Sequence, residues 1–245
     1  MRLISKRKIK LYLYYIKNCW KLIFPLRCRE TIVVLGMHRS GTSVVAGLLD
    51  AAGVSMGKFK QRASKYNKKG YYENILFQKL NIEVLIRSRR SSESRLPDFE
   101  KLEKEKKKYR KKAKNLVRIE QEASWGWKDP RTSLLMDMYY RFLVNTKIVI
   151  CNRDSDDVAR SLSRRENMSQ KQAREICDFY KNEINKIKKK YKCPMLEINF
   201  DDHKKDKDGV VDSIIDFIDI SVDETSRDNM INFFDQKLVT SSRRN

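Results

Sequence analysis

The chain has 245 residues, enough for one α/β domain with a full core and too few for two comfortable ones. Its 54 Lys plus Arg against 32 Asp plus Glu give a formal charge of +22, which implies anionic company: a polyphosphorylated ligand, an acidic glycan, nucleic acid or a lipid surface. Four prolines and eight glycines argue against long disordered linkers, and five cysteines without C-x-x-C spacing, with two distant histidines, show neither a redox pair nor a zinc motif.

Residues 1–30 form a basic, amphipathic prelude with Leu11, Tyr12, Leu13, Tyr14, Tyr15, Ile16, Trp20, Leu22, Ile23, Phe24 and Leu26 among its cations. Lys17, Asn18 and Lys21 interrupt the apolar run, so it is too short and too charged to span a bilayer, which takes about 20 apolar residues. Two readings stay open: a segment lying on an anionic membrane surface, or a helix packed on the domain's own sheet.

A single domain is expected over residues 31–245. Residues 31–35 are a buried strand, 36–43 a turn, and 44–52 a helix closed by Gly53 as a left-handed cap. Residues 58–69 are polar and basic and read as a loop. A helix follows Asn74, a Ser and Arg rich stretch spans 87–96, and Pro97 closes it. Residues 99–122 read as a helix whose Lys and Glu run is a solvated face, so 87–122 is a basic helical insertion. Residues 147–151 are a second strand, 156–165 and 169–190 helices, 195–200 a third strand and 210–218 a short helix. Strands separated by helices make βαβ units, so the predicted fold class is α/β: three layers, with a mostly parallel central sheet flanked by helices.

The turn carries the chemistry. Gly36-Met37-His38-Arg39-Ser40-Gly41-Thr42-Ser43 joins a strand to a helix N-terminus. There the N–H groups of Ser40, Gly41, Thr42 and Ser43 are expected to converge on one anion, with the helix dipole behind them. The frame is that of a nucleotide-binding P-loop, with Thr42 where triphosphatases carry lysine, which argues against ordinary ATP or GTP chemistry. Arg153 at the end of the 147–151 strand and Ser161 eight residues later make a second candidate anion site, unless Arg153 pairs locally with Asp154 or Asp157.

Three elements in order resemble the sulfotransferases that use 3′-phosphoadenosine 5′-phosphosulfate: His38-Arg39-Ser40-Gly41-Thr42-Ser43, Trp127-Lys128-Asp129-Pro130-Arg131, and Arg153-Asp154 followed by Ser161-Leu162. His38 departs from the family's usual proline. The resemblance implies a P-loop sulfotransferase fold running from about residue 31 to the C-terminus. It implies that Arg39, Ser40, Gly41, Thr42 and Ser43 hold the 5′-phosphosulfate and that Arg153 and Ser161 hold the 3′-phosphate. Arg39 and Lys128 would stabilise charge on the departing nucleotide, no metal being required. The family takes the acceptor's proton with a histidine in some branches and a glutamate in others. Glu73 is the candidate here, with His38 as rival, and a raised pKa would help it. Trp125, Trp127 and Tyr72 read first as core aromatics.

The function expected is sulfuryl transfer to a hydroxyl acceptor, a carbohydrate by the breadth of the family and the basic surface. Reduced thiols suit a cytoplasmic location, with peripheral membrane contact through residues 1–30 left open. A P-loop kinase would need a magnesium-holding acid at the end of the 147–151 strand, where Asn152 and Arg153 stand. A nucleic-acid-binding protein would account for the charge, but no recognised binding motif supports it.

Overall fold

The computed structural model describes residues 13–24, 27–57, 72–91, 94–201 and 206–238. The loop expected at 58–69 lies outside them. Four strands, β1 (Glu30–Gly36), β2 (Ser124–Lys128), β3 (Thr146–Asn152) and β4 (Met195–Asn199), form one sheet in the order β2-β1-β3-β4. Every pair is parallel, with Val33 opposite Trp127 on one side and Ile148 on the other. Around the sheet lie α1 (Thr42–Ala51), α2 (Ile75–Arg87), α3 (Phe99–Glu120), α4 (Thr132–Tyr139), α5 (Ser155–Glu166), α6 (Gln170–Lys190), α7 (Lys207–Phe217) and α8 (Glu224–Leu238).

The two-residue period of β1 divides the core. Val33 and Leu35 point into a cluster with Phe77 and Leu80 of α2, Leu102 and Leu116 of α3, Leu135 of α4 and Ile184 of α6. Ile32 and Val34 point into the other, with Val45 and Leu48 of α1, Val211 and Ile214 of α7 and Met230 of α8. All four β1 side chains are fully buried, and each stabilises by about 1.5–3 kcal/mol relative to exposure. Helices on both faces of a parallel sheet make the three layers expected.

Chain order differs from strand order in one telling place. From β1 the chain passes to β2 on one edge and then to β3 on the other, so the topology reverses about β1. A crevice therefore opens beyond its carboxyl end.

Three elements were not expected: β2, α4 and α8. The strand at Thr146–Asn152 is accordingly the third in the chain. β2 reads Ser-Trp-Gly-Trp-Lys, without an aliphatic run, and is buried by aromatic stacking: Phe77 lies 4.1 Å from Trp127, nearly parallel, and Trp125 lies 5.7 Å from Trp127. Gly126 is required there because a Cβ would meet Ile32 O at 2.0 Å. α3 buries Leu102, Lys106, Tyr109, Ala113, Leu116 and Val117, a stripe at helical spacing, and leaves Lys104, Lys107, Lys108, Lys111 and Lys112 in solvent.

Candidate functional site

The turn after β1 sits at that crevice. Gly36, at φ +147, has no room for a side chain: a Cβ would come within 2.8 Å of Cys151 O, Ser40 Oγ and Thr42 Cγ2. Gly41 is left-handed at φ +88 and its missing Cβ would stand 2.6 Å from the Phe200 ring. Arg39 is also left-handed, at φ 74, a conformation rare outside glycine. Ser40 N–H donates to Met37 O at 3.3 Å and its hydroxyl to the same carbonyl at 2.7 Å, so Ser40 closes the turn while bordering the polar cavity described below. Among the described residues no side chain caps α1, and the first-turn N–H groups of Thr42 and Ser43 have no carbonyl of their own helix to bond.

Residues far apart in sequence meet here in two groups. In the first, Arg39 Nε donates to Ser161 Oγ at 2.9 Å, and Arg153 donates to Arg39 O at 3.0 Å. The Arg153 guanidinium lies over the Phe200 ring at 4.4 Å. Its Nε is buried without a hydrogen-bond partner, and its ion pair with Asp157 is long, at 3.9 Å. The local pairing weighed for Arg153 thus leaves a donor unsatisfied.

In the second group, Lys128 at the end of β2 donates to Ser43 Oγ at 3.2 Å and reaches Glu73 Oε1 at 3.4 Å. Arg131 lies 3.7 Å from Glu73 and 2.7 Å from Asp129, and Gln78 donates to the Glu73 carboxylate. Asp129, fully buried, also accepts from Asn81 at 2.9 Å; Asn81 in turn donates to Thr132 and accepts from Tyr139. Neither Asn81 nor Phe200 was singled out from the sequence. Asn81 could have been: it occupies the apolar stripe of Phe77, Leu80 and Val84, where a polar residue needs a reason.

Electrostatics separate the titratable groups. Burial pushes the Glu73 carboxyl up, but Lys128 and Arg131 outweigh it and hold the group below its ordinary value, contrary to the raised pKa that would have favoured a base. Burial lowers the Lys128 ammonium, partly offset by Glu73 and Asp129. Burial, with Arg131 beside it, lowers the His38 imidazole to about 3. His38 is therefore neutral and a poor proton acceptor; its ring meets Tyr180 edge-on at 6.2 Å. Trp125 and Trp127 are core residues, and Tyr72 packs edge-on against Phe233.

Two cavities flank the turn. One of about 490 Å³ is polar and is bordered by Ser40, Asn152, Arg153, Lys181 and Asn199. The other, of about 350 Å³, is lined by His38, Leu85, Arg89, Arg131, Leu162 and Arg165 among others. Both fall in the size range of small-molecule sites.

A family model described as the sulfotransferase family matches residues 31–224, most of the chain. The chain belongs to the sulfotransferase family. Among solved structures it is similar to sulfotransferase STF9 from Mycobacterium avium, at 14% identity and a TM-score of 0.60, covering 94% of this chain and 73% of that one. It is similar also to sulfotransferase STF1 from Mycobacterium tuberculosis, at 14% identity and a TM-score of 0.56, with 89% and 74% covered. The sulfotransferase domain of the Synechococcus PCC 7002 olefin synthase aligns at 16% identity and a TM-score of 0.52, covering 82% of this chain and 76% of that one. At these identities the likeness is one of fold. Comparison with curated proteins finds no match.

The sulfotransferase residues present suit a nucleotide phosphorylated at two positions. A helix N-terminus without a side-chain cap and a buried, unsatisfied Arg153 Nε both suit anionic oxygens, and Arg153 is tied to the turn through Arg39 O.

Proposed function

We propose that this sulfotransferase moves a sulfuryl group from 3′-phosphoadenosine 5′-phosphosulfate to a carbohydrate hydroxyl. The observation that carries the reading is Lys128: one buried ammonium touches both Ser43 of the phosphate turn and Glu73, the proposed base. The co-substrate, once bound, supplies an activated sulfuryl group. Ser40, Gly41, Thr42 and Ser43 hold its 5′ end through main-chain and hydroxyl donors, Ser40 also fixing the shape of the turn through Met37 O. Arg153 and Ser161 hold the 3′-phosphate, and Phe200 closes over Gly41 beside them.

Transfer makes a bond from the acceptor oxygen to sulfur and breaks the one from sulfur to the phosphate oxygen. Glu73 takes the hydroxyl proton. Lys128 and Arg39 stabilise the negative charge left on the nucleotide, each worth on the order of 3 kcal/mol in a site shielded from water. The depressed pKa of Glu73 means that its proton affinity rises as Lys128 turns toward the leaving oxygen, which couples base to cation. His38 stays neutral and shapes the turn.

A carbohydrate is supported by the +22 charge, suited to acidic glycans, and by Arg89, Arg131 and Arg165 in the lining of one cavity beside the turn. Five free cysteines support a reducing compartment such as the cytoplasm. Thermal shift with adenosine 3′,5′-bisphosphate against ATP plus magnesium tests the nucleotide half: the bisphosphate is expected to stabilise the free protein by about 2.7 kcal/mol at 100 times its dissociation constant, and ATP plus magnesium less at the same concentration. Preference for ATP would overturn it. Incorporation of radiolabelled sulfate into glycans, peptides and small alcohols tests the acceptor, and label entering peptides alone would remove the carbohydrate.

A further inference from the structure

The segment before β1 is amphipathic in a direction that the sequence does not reveal. Residues 13–18 are helical and run into a 3-10 turn, Cys19–Leu22. On the inner side Tyr14 and Tyr15 pack against the larger core cluster, and Arg118 donates to Leu22 O at 3.2 Å. Lys21, which interrupts the apolar run in sequence, is turned inward: only 3% exposed, it donates to Gln121 O at 3.0 Å and pairs with Glu122 at 2.5 Å. Its withdrawal leaves the outer side continuous. Leu13, Ile16, Trp20, Ile23 and Phe24, spaced by three or four residues, all lie in solvent.

Eight large hydrophobic side chains are exposed among the described residues, and five of them are in this segment. Scattered exposed Leu or Ile is ordinary; a contiguous stripe is not. The same stretch is charged with one sign. Residues 1–29 contain nine Lys and Arg and no Asp or Glu, and Lys17, Arg27 and Arg29 are exposed beside the stripe.

We infer that this face docks on an anionic lipid surface, with the aromatic and aliphatic stripe entering the headgroup boundary and the flanking cations binding acidic headgroups. Charge selects this occupant. A second copy would set the exposed Lys17, Arg27 and Arg29 of one face against the same cations of the other, and nucleic acid, whose bases can stack an aromatic ring, offers no apolar layer to take in Leu13, Ile16 and Ile23 as well. The segment lies on the membrane and does not cross it: among the described residues no helix is long and apolar enough to span. Because it packs where α3 leads into β2, at the amino end of the sheet, docking leaves the turn after β1 at the opposite end, facing away from the lipid.

Tryptophan emission reads this directly. Trp125 and Trp127 are 1% and 0% exposed, whereas Trp20 is 45% exposed, so a lipid-induced blue shift reports Trp20. The full chain is expected to co-sediment with vesicles of phosphatidylcholine plus phosphatidylglycerol, with a blue shift, to release in high salt, and to ignore phosphatidylcholine alone. An Ile23→Glu/Phe24→Glu variant, with a thermal midpoint like the parent's, should lose both signals. No binding to the anionic vesicles, equal binding to neutral ones, or unchanged binding by the variant would overturn the inference. So would a concentration-dependent dimer that the variant abolishes, since the face would then belong to a second copy.

Discussion

The Lys128 ammonium lies 3.4 Å from the Glu73 carboxylate, with the lysine side chain 1% exposed and the glutamate 11%. A buried cation and a largely buried anion each favour the other's charged form, so each influences the other's titration.

Glu73 is kept below its ordinary pKa because Lys128 and Arg131 outweigh its burial. The carboxylate form is the base, so activity falls as pH drops through that pKa. In Lys128→Met the burial remains and the nearest cation goes, which raises the Glu73 pKa. The acid limb of kcat/KM measured on the residual activity is expected to move to higher pH. Glu73→Gln is expected to lower kcat by about 10²–10⁴-fold with little change in bisphosphate affinity. An unmoved limb in the first variant, or full turnover in the second, would remove Glu73 from the chemistry.

Arg153 and Arg39 should separate in their effects. Arg153 has a buried Nε awaiting an acceptor, and loss of a charge-assisted hydrogen bond costs about 1.5–3 kcal/mol. Calorimetry on Arg153→Ala is expected to show weakened binding of adenosine 3′,5′-bisphosphate but not of adenosine 5′-monophosphate. Arg39→Ala is expected to cut turnover about 10²–10³-fold while moving bisphosphate affinity less.

Two glycines test the turn against each other. Gly41 and Gly53 are both left-handed, at φ +88 and +95, but a Cβ at Gly41 strikes Phe200 whereas one at Gly53 meets nothing within 4 Å. Gly53→Ala carries the backbone strain alone, about 1–3 kcal/mol. Gly41→Ala carries the strain and the collision, so its thermal midpoint should fall further and its bisphosphate response should shrink.

Asn74, next to Glu73, caps α2 by accepting from Leu76 and Phe77 N–H, and donates to Glu120 Oε2 at 2.6 Å. Asn74→Ala loses the cap, about 0.5–2 kcal/mol, and the Glu120 contact. Asn74→Asp keeps the cap but places a carboxylate against Glu120 inside the protein. Although aspartate is the better capping residue, the Asp variant is expected to melt below the Ala variant.

What the sequence shows plainly is what aliphatic residues carry. Val33 and Val34 in β1, Ile148 and Val149 in β3, and the periodic faces of α2, α5 and α6 reveal themselves by pattern. β2 does not, because it is buried by Trp125 and Trp127 against Phe77, a contact between segments some 50 positions apart in the chain. α4 hides for the opposite reason: nearly every residue from Thr132 to Tyr139 is buried, so it has no polar face to set a period. At the site, the turn is legible from Gly36 and Gly41, and Arg153 and Ser161 from their spacing. The lowered pKa of Glu73 and the inward Ser40 hydroxyl are not, since both depend on atoms that folding alone brings within reach.

β1 has a hydrogen-bonded neighbour along each edge and no side chain of residues 32–35 touching water. Its amides should be among the slowest to exchange with deuterium, opening only when the whole molecule unfolds. The turn proposed to take the nucleotide is anchored to that strand at one end. On that proposal, recognition there is a matter of fit to a cradle whose anchor is ordered in folding, which lowers the ordering cost of binding.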